Sequence, residues 1–129
     1  MTTDLQMLLA VGILSLLQFM PYFFAYLKNW GISGIVSNRE NMPALPGWAN
    51  RALAAQGNLN ENLIHFAIFV LIVNAAGLSN EMSALGATIF FYARLAYWVV
   101  YIAGIIWLRT LLFMAGVVGE VMIILQLFK

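Results

Sequence analysis

The run SALGATIFFYARLAYWVVYIAGIIWLRTLLFMAGVVGEVMIILQLF, Ser83 to Phe128, is apolar almost without pause. As a single helix it would reach about 69 Å, more than twice the roughly 30 Å hydrocarbon thickness of a bilayer. It must therefore fold back. The corner is expected at Ala103-Gly104-Ile105, which leaves a third helix over about Ser83 to Ala103 and a fourth over about Ile106 to Leu127. Working outward, Gly77, Ser79, Asn80 and Glu81 form a tight turn, with Ser79 or Asn80 as the helix cap. Before it, a second helix runs from about Gly47 to Ala76, long enough for its first turns to lie at the headgroups. A first helix spans about Leu5 to Leu27. Pro21 should kink it, because proline lacks the N–H and crowds the preceding turn. Gln18 is expected to hydrogen-bond a neighbouring helix. Between these two helices, residues 28–46 hold Gly31, Gly34, Asn38, Pro43 and Pro46, a cluster of breaker residues that reads as the one real loop. The expectation is an all-α, four-helix transmembrane bundle occupying residues 1–129 as a single integral membrane domain.

Composition agrees with that reading. The chain is 64% hydrophobic and 9% charged, with a mean hydropathy of +0.91. Soluble domains carry about 25% charged residues, so this chain cannot cover a water-facing surface. Its net charge of +1 excludes an electrostatic partnership with nucleic acid. The first apolar run has no basic lead-in and no A-x-A site, so it reads as a retained membrane helix rather than a signal peptide. Lys28, Arg39, Arg51 and Arg109 fall on the side holding the first and third connections, whereas Asp4, Glu81 and Lys129 fall on the other. The positive-inside rule then puts the long loop in the cytoplasm and both termini outside it.

Polar residues inside such a bundle point to function, because lipid cannot satisfy them. On the second helix, Arg51, Asn58, Glu61, Asn62 and His65 fall within an arc of about 100°. On the third, Arg94, Tyr97 and Tyr101 occupy about 60°, with Trp98 beside them as a packing residue. Depth along the helices brings Arg51, Tyr101 and Arg109 to one level near the interface. It also suggests a Glu61–Arg94 ion pair as the least costly arrangement. Arg109 and Glu120 share a face of the fourth helix but are separated by about 16 Å of rise, so Glu120 needs a partner elsewhere. His65 reads as a packing histidine. With one histidine and no cysteine, no ordinary transition-metal or haem site, disulfide or cysteine nucleophile can be assembled.

The run NRENMPALPGWANRALAAQGNLNENLIHFA, followed by FFYARLAYWVVYIAGIIWLRT, resembles the MAPEG family of membrane-associated proteins in eicosanoid and glutathione metabolism, and its small bacterial members most. The resemblance implies a homotrimer in a bacterial inner membrane, with glutathione as co-substrate between subunits near the cytoplasmic side. By motif position it implies that Arg51, Asn58 and Glu61 on the second helix, and Arg94, Tyr97 and Tyr101 on the third, bind glutathione. Arg109 matches the arginine that faces the thiol in catalytic relatives, and Thr110 stands where some carry serine; these two are the implied catalytic pair. Tyr97 stands where some relatives carry histidine. Two positions depart: where several catalytic relatives have further basic residues on the second helix, this chain has Ala54 and Gly57.

Three functions follow from these readings. The first is a glutathione-dependent transferase or peroxidase acting on a lipophilic small molecule from the membrane, an electrophile or a lipid hydroperoxide. The second is a non-catalytic lipid-binding or scaffold protein of the same fold, suggested by the missing cations at Ala54 and Gly57. A four-helix multidrug transporter is the third and weakest, because the first helix carries no glutamate and the arginines would oppose cationic drugs.

Overall fold

The computed structural model describes residues 1–129. Helix accounts for 81% of the chain, and four helical stretches are long and apolar enough to cross a membrane. The first span is two helices, α1 (Thr3–Leu17) and α2 (Phe19–Ile35). The break at Gln18 lies one turn before Pro21, where the proline removes the bond to the Leu17 carbonyl and crowds it. Gln18 itself is buried with its Oε1 unpartnered, so it does not supply the expected interhelical bond. That work falls to its neighbours: the Ser15 hydroxyl donates to Asn60 Oδ1 at 2.6 Å, and the Tyr22 hydroxyl donates to Gln56 Oε1.

Helical path continues to Ile35, beyond the expected end at Leu27. Gly31 breaks the dihedral pattern at φ 71°, but the helix resumes, so one of the two expected breaker glycines bends the path without ending it. The other, Gly34, allows close approach: a Cβ there would lie 2.6 Å from Met42 Cε. The loop is correspondingly shorter, residues 36–46, and folds back on α2. Trp30 stacks on Tyr26 at 4.5 Å and donates its indole N–H to the Pro43 carbonyl at 2.9 Å.

Next come α3 (Gly47–Ala75), α4 (Glu81–Ala103) and α5 (Ile106–Gln126). Asn80 caps α4 through a reciprocal pair of bonds with Ser83, which satisfies two of the end's free donors. The α4–α5 corner falls at Gly104–Ile105 as expected, with Gly104 in the left-handed region at φ 84°. Packing places α3 and α4 at the centre, α1 against both, and α5 chiefly along α4. The α4–α5 contact is backbone-close: a Cβ on Gly86 would lie 2.4 Å from the Gly119 carbonyl oxygen. Small residues allow such approach, which maximises dispersion contact where no hydrophobic driving force exists between lipid-bathed helices.

The two ends of the bundle differ. The apolar core, with Val11, Leu14, Phe66, Val70, Val73, Ala87, Phe90 and Ile123, fills the half nearer the termini, and Phe66 stacks on Phe90 at 4.0 Å. A polar latch closes that end. Buried Asp4 accepts from the Ser79 and Ser83 hydroxyls at 3.0 and 2.7 Å, Thr2 donates to Asn74, and Asn80 donates to Gln126 at 2.8 Å. All four spans are tied there. The half nearer the 36–46 loop, called the loop side below, is left for polar residues.

Candidate functional site

On the loop side a cleft opens between α3, α4 and α5. Two adjoining pockets of about 490 and 230 Å³ share Asn58, Tyr97 and Arg109. The larger adds Ala54, Gly57, Glu61 and Tyr101; the smaller adds Thr110 and Phe113. The larger volume lies within the range of small-molecule sites. Six of the eight expected site residues line it: Asn58, Glu61, Tyr97, Tyr101, Arg109 and Thr110. Arg51 and Arg94 do not.

Arg94 lies under the floor, 2% exposed. Its Nη2 donates to Asn58 Oδ1 at 2.6 Å, and its Cζ sits 4.0 Å from the Tyr97 ring centroid. The expected Glu61–Arg94 ion pair does not form. Asn58 is nearer to Arg94 in rotation around α3, and the neutral amide takes the guanidinium instead. Glu61 is exposed and has no ion-pair partner. Asn62 Nδ2 also donates to Asn58 Oδ1, at 3.3 Å, and to the Asn58 carbonyl at 2.7 Å. With its oxygen occupied, Asn58 has its amide N–H groups left for the cleft.

Arg109 Cζ lies 4.4 Å from the Tyr101 ring centroid, and Tyr101 meets Tyr97 edge-to-face at 5.5 Å. The order Arg94, Tyr97, Tyr101 along α4, continued by Arg109 from α5, thus forms a ladder of guanidinium and phenol. The Arg109 guanidinium makes no hydrogen bond or ion pair within the chain. Thr110 donates back to the Ile106 carbonyl at 3.3 Å, a bond within its own helix. The cleft therefore holds one unpaired cation, Arg109, and one unpaired anion, Glu61.

Arg51 is committed elsewhere. Its Nε donates to the Ile102 carbonyl at 2.9 Å, and its guanidinium passes over Gly104. Trp98 packs against the core with its indole N–H unpartnered, as its packing role anticipates.

One pair escaped the sequence reading. His65 Nδ1 lies 2.6 Å from Glu120 Oε2, the only ion-pair contact in the chain. Depth arithmetic identifies it: His65 lies 14 residues from Arg51, and Glu120 lies 14 from Ile106, so each is about 21 Å along its helix from the loop side. Glu120 finds its partner on α3, and His65 does more than pack.

Compared with known protein families, residues 5–129 match the model of the MAPEG family. The chain belongs to the MAPEG family. Membership places it among multi-pass membrane proteins with glutathione-related or eicosanoid-metabolism functions at the level of the family. No curated protein and no solved structure matches the chain at a significant level. In this MAPEG chain the polar stripes of α3 and α4 and the first turn of α5 meet in a single cleft, which Ala54 and Gly57 also line.

Proposed function

We propose that this protein is a membrane-bound glutathione-dependent transferase or peroxidase, acting on lipophilic electrophiles or lipid hydroperoxides and working as a homotrimer. The observation that carries the reading is the unpaired Arg109 guanidinium held on Tyr101, in the same cleft as an unpaired Glu61. A zwitterionic thiol peptide complements that pair of charges. Glu61 takes the ammonium, and the Asn58 amide and the Tyr97 and Tyr101 hydroxyls bond the peptide's polar groups. Arg109 faces the thiol. A free thiol has a pKa of about 8.5, and each unit of depression corresponds to about 1.4 kcal/mol of preference for the thiolate. Arginine keeps its own proton, so Arg109 acts as fixed charge rather than as an acid. The thiolate then attacks an electrophilic carbon, forming a C–S bond and expelling the leaving group with its electron pair. With a hydroperoxide it attacks the distal oxygen; the O–O bond breaks, the alkoxide takes a proton, and a second thiol converts the sulfenic acid to disulfide and water.

The trimer reading rests on the resemblance and on the openness of the cleft, whose polar residues lie at membrane depth and need a protein cover. The cytoplasmic placement of the loop side rests on Lys28, Arg39, Arg51 and Arg109 lying there, and the bacterial inner membrane rests on the resemblance.

A second reading, a non-catalytic lipid-binding or scaffold protein, is favoured by Ala54 and Gly57. They leave Arg109 as the cleft's one unpaired cation for two glutathione carboxylates. Calorimetric titration of glutathione into the purified protein in detergent, with Glu61→Gln beside it, separates the two. The enzyme reading predicts saturable binding that weakens about tenfold in the variant; an absence of binding would favour the second.

A further inference from the structure

We infer that Arg51 is a positioning residue: it clamps the α4–α5 corner from α3 and so aims Arg109 into the cleft, rather than binding the ligand itself. This inference rests on the proposed glutathione chemistry only for its catalytic consequence. The clamp itself stands on the geometry of the corner.

The last carbonyls of a helix have no partner within it. At the end of α4 the corner satisfies two of them: Val100 accepts from the Gly104 and Ile105 amides, and Tyr101 accepts from Gly104. Ile102 and Ala103 are left over, and Arg51 Nε donates to the Ile102 carbonyl at 2.9 Å. A cation at a helix C-terminus also opposes the negative end of the helix dipole. The guanidinium passes close over Gly104: a Cβ on that residue would sit 3.5 Å from Nε and 3.6 Å from Cζ. Gly104 at φ 84° is the residue on which the chain turns.

On the other side of the corner, beyond the Ile105 amide's bond to Val100, no side chain caps α5. The first helical bond, from the Arg109 amide to the Ile105 carbonyl, is long at 3.4 Å. Arg109 lies within that first turn, so its direction follows from how the corner is set. On α3, Asn58 follows Arg51 by two turns on nearly the same face, about 10 Å further along. The clamp therefore fixes the register between the helix that supplies Asn58 and Glu61 and the helix that supplies Arg109.

The test compares wild type with Arg51→Gln, Arg51→Lys and Gly104→Ala in detergent. Amide hydrogen exchange over residues 102–109 reads the corner; glutathione affinity and the pH midpoint of bound-thiolate absorbance read the site. In Arg51→Gln we expect exchange in that segment to rise at least tenfold and the thiolate midpoint to move up by about one pH unit, with affinity changed less than threefold. Gly104→Ala, which strains the corner through its positive φ and brings a methyl group only into van der Waals contact with Arg51, should reproduce both changes, and Arg51→Lys, which keeps the charge but loses the Nε geometry, should fall between. Unchanged corner exchange with a tenfold loss of affinity in Arg51→Gln would make Arg51 a ligand-binding residue and overturn the inference. If wild type gives no thiolate signal, the proposed function fails, yet the exchange comparison still decides the clamp: a tenfold rise upholds it and no rise overturns it.

Discussion

Asn58 accepts from both Arg94 and Asn62, so its loss strands a buried guanidinium. Asn58→Leu should destabilise the protein by about 1.5–3 kcal/mol, the range for a hydrogen bond to a charged group, read by denaturant titration in detergent. Glu61→Gln, which breaks no pair, should stay within about 0.5 kcal/mol of wild type. Equal losses would restore Glu61 as the partner of Arg94. A double-mutant cycle on His65→Phe and Glu120→Gln should give a coupling energy of about 0.5–3 kcal/mol, and additivity would remove that pair from the account. At this scale the sequence shows which polar residues share a helix face but not which ones pair. Depth along a helix follows from counting, which is why Glu61 is the expected partner for Arg94 although Asn58 takes it, and why His65 and Glu120 can be matched by depth. Rotation between helices depends on packing, and roughly 60° around α3 separates Asn58 from Glu61.

The helices themselves were more legible. The corner at Gly104, the cap at Asn80 and the break ahead of Pro21 each follow from a residue whose backbone chemistry is unambiguous. The extension of α2 to Ile35 does not, because Gly31 and Gly34 read as loop residues until Trp30, stacked on Tyr26, and Met42 are seen to pack against Gly34. Nor does a sequence reveal that Gly86 and Gly119 meet, since glycines in membrane helices also serve other ends. Their contact carries a sharp prediction. Gly86→Ala would put a methyl group 2.4 Å from the Gly119 carbonyl oxygen, forcing α4 and α5 apart at a cost of about 3 kcal/mol. Gly12→Ala, at a site with nothing within 4 Å, is the control and should be neutral or slightly stabilising by the same denaturant titration.

Across the whole molecule, the bundle divides into a latched, apolar half that holds the spans together and a polar half that leaves a cleft open. Asp4, Ser83 and the stacked Phe66–Phe90 pair belong to the first; Asn58, Glu61, Tyr97, Tyr101 and Arg109 belong to the second. An open polar cleft at membrane depth needs covering, and native mass spectrometry of the detergent-solubilised protein should show a trimer, whereas a monomer across detergents would leave the cleft facing lipid. The account depends most on Arg109 as the charge that makes a thiolate. The direct measurement is ultraviolet absorbance of glutathione bound to the purified protein, titrated with pH, for wild type and Arg109→Ala. We predict a thiolate midpoint about one to two units below the free thiol's 8.5 in wild type and a return toward 8.5 in the variant. A wild-type midpoint at the free-thiol value, or one that Arg109→Ala leaves unmoved, would contradict it.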